Sequence, residues 1–246
     1  MANPRSRTLH GRHDTVARLP RLAVGGALHH LMQRGHDGHP VFRDDADRRL
    51  FLSLLSDAAR AEAVAVHAYA LLDSEIHLLA TPAQAANLGR LMQAVGRRYV
   101  SAFNRRHQRR GTLWDGRFRS SLIDPALVLE ATIHVECLPV RAQLASAPAD
   151  WPWSSASQHL GRRHDAVLVD HPDYWKIGNT PFERELVHAD KLAEGLSMEF
   201  AARFDDALRR GHAVGEAGFI ARAELALGRP VKVRARGRPR KVRDSE

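Results

Sequence analysis

"VAVHAYALLDSEIHLLATP", Val64 to Pro82, is the stretch from which the fold is read. Val64 to Leu72 is rich in strand-forming residues, "DS" marks a tight turn, and Glu75 to Ala80 is a second apolar strand that pairs back as a hairpin. Within the second strand Glu75 and His77 lie two residues apart and therefore share one face of the sheet. Two polar groups on a half-buried strand need a chemical reason, either a metal or each other.

Working outward, Gly26 to Gln33 ("GALHHLMQ") reads as a strand followed by a turn at Arg34 to Gly38. Asp44 or Asp45 caps a helix running to about Ala63, with Leu50, Phe51, Leu54 and Leu55 facing inward. After the hairpin, "AANLGRLMQAVGRRYVSAFNRRHQRR" repeats apolar residues at helical spacing: Leu88, Leu91, Met92, Val95, Tyr99 and Phe103. A strand near Arg119 to Ile123 and a helix from about Pro125 to Leu138 complete the order β-α-β-β-α-β-α. The expectation is an α+β fold, a ferredoxin-like antiparallel sheet with helices on one face. A C-terminal helical appendix and a basic tail follow it. The divisions expected are a basic arm over 1–18, the main domain over 19–145, a Trp/Pro-rich connection over 146–180, the appendix over 181–227 and a disordered tail over 228–246.

The chain has 246 residues, of which 44% are hydrophobic, enough to bury a substantial core. No apolar run approaches the roughly 18 residues of a membrane span, so no membrane partner is expected. Cys137 is the only cysteine, which excludes an internal disulfide and a cysteine-based zinc site and suits a reducing cytoplasm.

Charge is more informative. Lys and Arg number 37 against 28 acids, for a net charge of +9. Nine arginines fall between Ala85 and Ile123 (Arg90, Arg97, Arg98, Arg105, Arg106, Arg109, Arg110, Arg117 and Arg119) against one acid, Asp115. Most lie off the apolar stripe of the helix, and Trp114 and Phe118 are interleaved with the last of them. Guanidinium groups that neutralise phosphates beside rings that stack on unpaired bases are the composition of a nucleic-acid surface. The tail carries eight further bases in "GRPVKVRARGRPRKVRDSE". Its "GRPRK" core, with Arg238, Arg240 and Lys241, suits the minor groove of A·T-rich duplex or any phosphate backbone.

Together, "ARLPRLAVGGALHHLMQRG", "LGRLMQAVGRRYVSAFNRRHQRRGTLWDGRFRSSLID", "PVRA", "DWPWSS" and "GRPRK" resemble the single-tyrosine (HUH-type) transposases, specifically the REP-associated type, over roughly residues 17 to 241. The resemblance implies a hairpin or single-stranded DNA partner, such as palindromic repeats. It also implies Mg²⁺ or Mn²⁺ held by two histidines on one strand, and a tyrosine that attacks the scissile phosphate. Carried onto this chain, the second histidine is His77, but the first is Glu75. The tyrosine position holds His134, and the helper position one turn on holds Leu138. The expectation is therefore a DNA-binding protein with a degenerate site, Glu75 and His77 holding metal weakly or not at all and His134 inactive. The alternatives are a working metal-dependent single-strand endonuclease with substituted residues, and an RNA-binding module.

Overall fold

The computed structural model describes residues 21–232. Five strands form one sheet in the order β2-β3-β1-β4-β5: β1 (Leu28–Arg34), β2 (Val64–Leu71), β3 (Glu75–Pro82), β4 (Arg119–Ile123) and β5 (Ala213–Val214). The first four are antiparallel neighbours, and β5 runs parallel to β4. This is the expected ferredoxin-like layer with one added edge strand.

Two helices cover the expected face. α1 (Asp45–Ala61) starts where the Asp44 carboxylate accepts from the amides of Ala46 and Asp47, at 3.0 and 3.1 Å. α2 (Ala85–Arg106) buries the stripe read from its sequence. Leu31, Ile76 and Leu78 of the sheet close on Phe51, Leu55, Leu88, Leu91 and Phe103, with Tyr99 at the centre of an aromatic group that includes Phe42 and Trp114. At the turn after β1, Gly35 is required. An added Cβ would lie 2.1 Å from the carbonyl oxygen of His39.

The other face is covered too, by α3 (Val128–Glu136) and by elements the sequence placed apart. α3 is followed by a single turn, α4 (Leu138–Arg141). The Trp-Pro segment then runs along the outer edge of β2. Trp153 O accepts from Leu71 N at 2.9 Å and Trp151 Nε1 donates to Leu71 O at 3.1 Å, which occupies groups an edge strand would otherwise expose. α5 (Ala156–His159), α6 (Pro181–Glu194), α7 (Met198–Arg210) and α8 (Ala217–Leu227) follow. Phe204 and Ala207 of α7 share a core with Leu28, Leu79 and Ile123 of the sheet and Val135 of α3. The expected appendix is thus part of the domain's second layer.

Candidate functional site

Alternation along the strands sends His30 and Met32 of β1, Glu75 and His77 of β3, and Arg119 and Ser121 of β4 to the α3–α7 face. Register places Met32 against His77 and His30 against Ser121. His30 Nε2 and His77 Nδ1 are 3.0 Å apart, so one ring donates to the other. The second nitrogen of His77 lies 3.3 Å from Glu75 Oε2, and Arg34 Nε is 3.4 Å from the other oxygen of that carboxylate. Glu75 and His77 therefore meet as the sequence suggested, within a chain that begins at His30.

His134 of α3 enters from above. Its ring lies edge-on to His30, with centroids 5.6 Å apart, and 5.0 Å from the ring of Phe204. Its Nε2 is 3.3 Å from Asp205 Oδ1 but off the line of a hydrogen bond, and Asp205 in turn pairs with Arg141. Buried polar atoms with no hydrogen-bond partner among the described residues include both ring nitrogens of His134 and the hydroxyl of Ser121. Sequence reasoning did not single out His30, Asp205 or Arg141. The "HH" of the first strand was a readable signal for His30; Asp205 carried none, since it lies on a helix and 71 residues beyond His134.

The electrostatics follow from burial. Desolvation, reinforced by His77 and His134, holds His30 well below the usual imidazole range, and burial lowers His134 despite Asp205. The hydrogen bond from His77 holds Glu75 below the carboxylate norm against the opposing effect of burial, with Arg34 adding to it. Burial opposes ionisation of Asp205 too, yet His134 and Arg141 bring it well below that norm. The result is a set of imidazoles between two ionised carboxylates.

An open cleft of about 360 Å³ lies beside this set, lined by Glu75, His77, Leu138, Asp205 and three arginines, Arg119, Arg141 and Arg209. His134, 1% exposed, stands behind it. These residues fit a resident Mg²⁺ or Mn²⁺ poorly. Such ions take oxygen ligands, and Glu75 is faced by Arg34 and Arg119 while both nitrogens of His77 are engaged. Leu138 supplies no ligand. None of the three tyrosines presents a free hydroxyl to the cleft. Tyr69, Tyr99 and Tyr174 are all buried, and their hydroxyls are bound to Asp165 at 2.6 Å, to the Val41 carbonyl at 2.6 Å and to His188 at 2.9 Å.

The arginine-rich stretch has a mixed outcome. Eight of its nine arginines are exposed and Arg109 is half-buried. Tertiary structure brings acids to three of them: Arg90 meets Glu62 at 2.7 Å, Arg98 meets Asp57 at 4.0 Å, and Arg106 is clamped by Asp44 and Asp47. Arg97, Arg105, Arg109, Arg110, Arg117 and Arg119 have no ion pair within 4 Å among the described residues. The expectation for Trp114 and Phe118 needs correction. Both rings are in the protein interior, 9% and 8% exposed, so neither presents a face to a base. Their apolar area is worth more in the core than on a solvated loop. Arg238, Arg240 and Lys241 lie outside the described residues.

A second polar group stands apart from the cleft. Glu136, His159 and His188 are buried together, with their ligand atoms within 4.8 Å of one another.

No family model and no curated protein matches the chain. Among solved structures the chain is similar to a REP-associated tyrosine transposase bound to a REP hairpin. The TM-score is 0.48 and the identity 12%, covering 63% of this chain and 93% of that one. It is also similar to a protein of Deinococcus radiodurans R1 described as a candidate transposase, with TM-score 0.35 and 22% identity over 52% of this chain and 92% of that one.

Proposed function

We propose that the protein binds structured single-stranded DNA through its arginine surface, and that the place of strand cleavage has been rebuilt into a closed imidazole–carboxylate cluster. The observation that carries this reading is the set of six unpaired arginines between Arg97 and Arg119. It ends on Arg119, which lines the cleft with Arg141 and Arg209. Cationic side chains left without acids on a folded surface attract phosphates and release their counterions. With Trp114 and Phe118 buried, affinity rests on phosphate contacts rather than on stacking, so binding depends steeply on salt and only weakly on base identity.

The cluster argues against cleavage on chemical grounds. An in-line attack needs an exposed oxygen nucleophile beside the phosphate, whereas this chain has a buried imidazole there and Leu138 where a polar helper is implied.

The test is hairpin-oligonucleotide binding by fluorescence anisotropy across a salt series. Changing Arg97, Arg105 and Arg117 together to Glu should weaken binding at least tenfold near 0.1 M salt and flatten the salt dependence. Reversing Arg90, which already faces Glu62, should matter much less. Equal losses from the two variants would sink the assignment of the surface. Tighter binding to an RNA hairpin than to its DNA counterpart would replace DNA by RNA.

A further inference from the structure

The Glu136–His159–His188 group plays no part in the reading above. Glu136 ends α3, His159 ends α5, and His188 lies within α6, so residues from three helices converge with exposures of 0%, 6% and 0%. Glu136 Oε1 accepts from His159 Nδ1 and from Ser155 Oγ, both at 2.6 Å, and Oε2 accepts from His188 Nε2 at 2.8 Å. Two of the three ligands are also held from behind, Glu136 by Ser155 and His188 by Tyr174. The Tyr174 hydroxyl meets His188 Nδ1 at 2.9 Å, and the Asp170 charge acts on His159.

We propose that Glu136, His159 and His188 form a structural binding site for a divalent transition metal of the zinc class. One carboxylate oxygen and two imidazole nitrogens fill three of the four positions of such an ion, the fourth being left to a water, and two nitrogen donors disfavour Mg²⁺ and Ca²⁺. The partners behind the ligands match the outer shell that fixes ring orientation around a bound metal. Ligand atoms at about 2.0–2.1 Å from a tetrahedral ion sit roughly 3.3 Å apart. The ligand atoms here lie within 4.8 Å of one another, and the two ring nitrogens hold opposite oxygens of the carboxylate, so both rings must turn towards one oxygen to close the site.

Charge points the same way. A fully buried carboxylate must be matched. Without metal the match is the two histidine donors and the Ser155 hydroxyl. A bound cation would match it directly, each imidazole presenting an unprotonated nitrogen to the ion and His188 donating from Nδ1 to the Tyr174 oxygen. The ion would tie α3, α5 and α6 together, fastening the connecting segment and α6 to the domain.

The experiment uses the full chain, stripped with chelator, dialysed and titrated with Co²⁺ and then Zn²⁺. The expected result is one equivalent of Co²⁺ with the visible bands of a tetrahedral site, displaced by Zn²⁺, and a Zn²⁺-dependent rise in Tm. His188→Gln should abolish the bands. If that variant fails to fold, Tyr174→Phe serves instead. It removes only the support behind His188 and should weaken Co²⁺ binding about tenfold. His77→Ala, in the cleft, should leave the bands intact. A folded, unmodified protein with neither bands nor a Zn²⁺-dependent Tm shift would overturn the proposal, leaving a proton-bonded network. Loss of the bands in His77→Ala would overturn it as well, by placing the metal in the cleft. Neither outcome bears on hairpin binding, which is measured separately.

Discussion

His134 is a buried ring with Asp205 beside it, Phe204 against it and no hydrogen bond to either nitrogen. A residue so placed cannot reach a phosphate in the cleft without moving, and Leu138, at the cleft wall, has nothing to coordinate with. The unmodified protein should therefore neither nick hairpin DNA nor form a covalent adduct with Mg²⁺ or Mn²⁺, as read on denaturing gels. Changing Glu75→His, His134→Tyr and Leu138→Asn together should restore detectable nicking, because the arginine surface and His77 are already in place. The single changes should restore almost none, since nucleophile, metal ligand and helper act as a unit. Mn²⁺-dependent cleavage by the unmodified protein, lost in His77→Ala, would show that the substituted set works.

At the scale of elements, the pairing of α1 with α2 both builds the core and tunes the surface charge. Asp47, 1% exposed, accepts from the Arg43 amide at 2.9 Å and from His107 Nε2 at 2.9 Å, and pairs with Arg106. It pins the start of α1 to the end of α2 and cancels an arginine. Asp47→Ala should cost roughly 2–3 kcal/mol, below the figure for a wholly buried pair because Arg106 is partly solvated. The same change adds net positive charge beside the arginine surface proposed to bind DNA, so hairpin affinity at low salt should rise while stability falls. Denaturant unfolding and anisotropy on one preparation check both signs. Stability within error of the parent would mean that the Asp47 contacts do not hold the two helices together.

For the molecule as a whole, burial of histidines sets the response to acid. Burial lowers His29 and His67 to about 4, partly offset by hydrogen bonds to the Ala27 and Val169 carbonyls. In the unfolded chain both titrate near 6.5. Between these values the unfolded state binds more protons, so stability is present above 6.5 and is lost as pH falls towards 4. The two together represent several kcal/mol, at roughly 1.4 kcal/mol per pH unit for each group. His30 and His134, lowered mainly by burial, act in the same direction, whereas Glu136, whose histidine partners outweigh its burial, adds a loss only below the ordinary carboxylate value of 4.5. His159 opposes them, its contribution fading as pH rises. Tm should therefore fall steeply from pH 6.5 to 4, and a flat profile would mean that these rings are solvated in the native state.

The sequence alone determined the β-α-β-β-α-β layer. The hairpin at Val64 to Pro82 announces its register by alternation, and the apolar stripe of α2 can only be buried on one side. It also placed Glu75 and His77 on one face, because spacing by two is a local property of a strand. Tertiary structure alone decided what those two residues meet. His30 arrives from a neighbouring strand, and His134 and Asp205 from helices brought over the sheet by core packing of Val135, Phe204 and Ala207. The fate of the arginines and rings was settled at the same level. Acids on α1 and at its C-terminal end, distant in sequence, cancel Arg90, Arg98 and Arg106, and the core takes in Trp114 and Phe118. Local periodicity fixes which way a side chain points; only the packing of distant segments fixes what waits for it there.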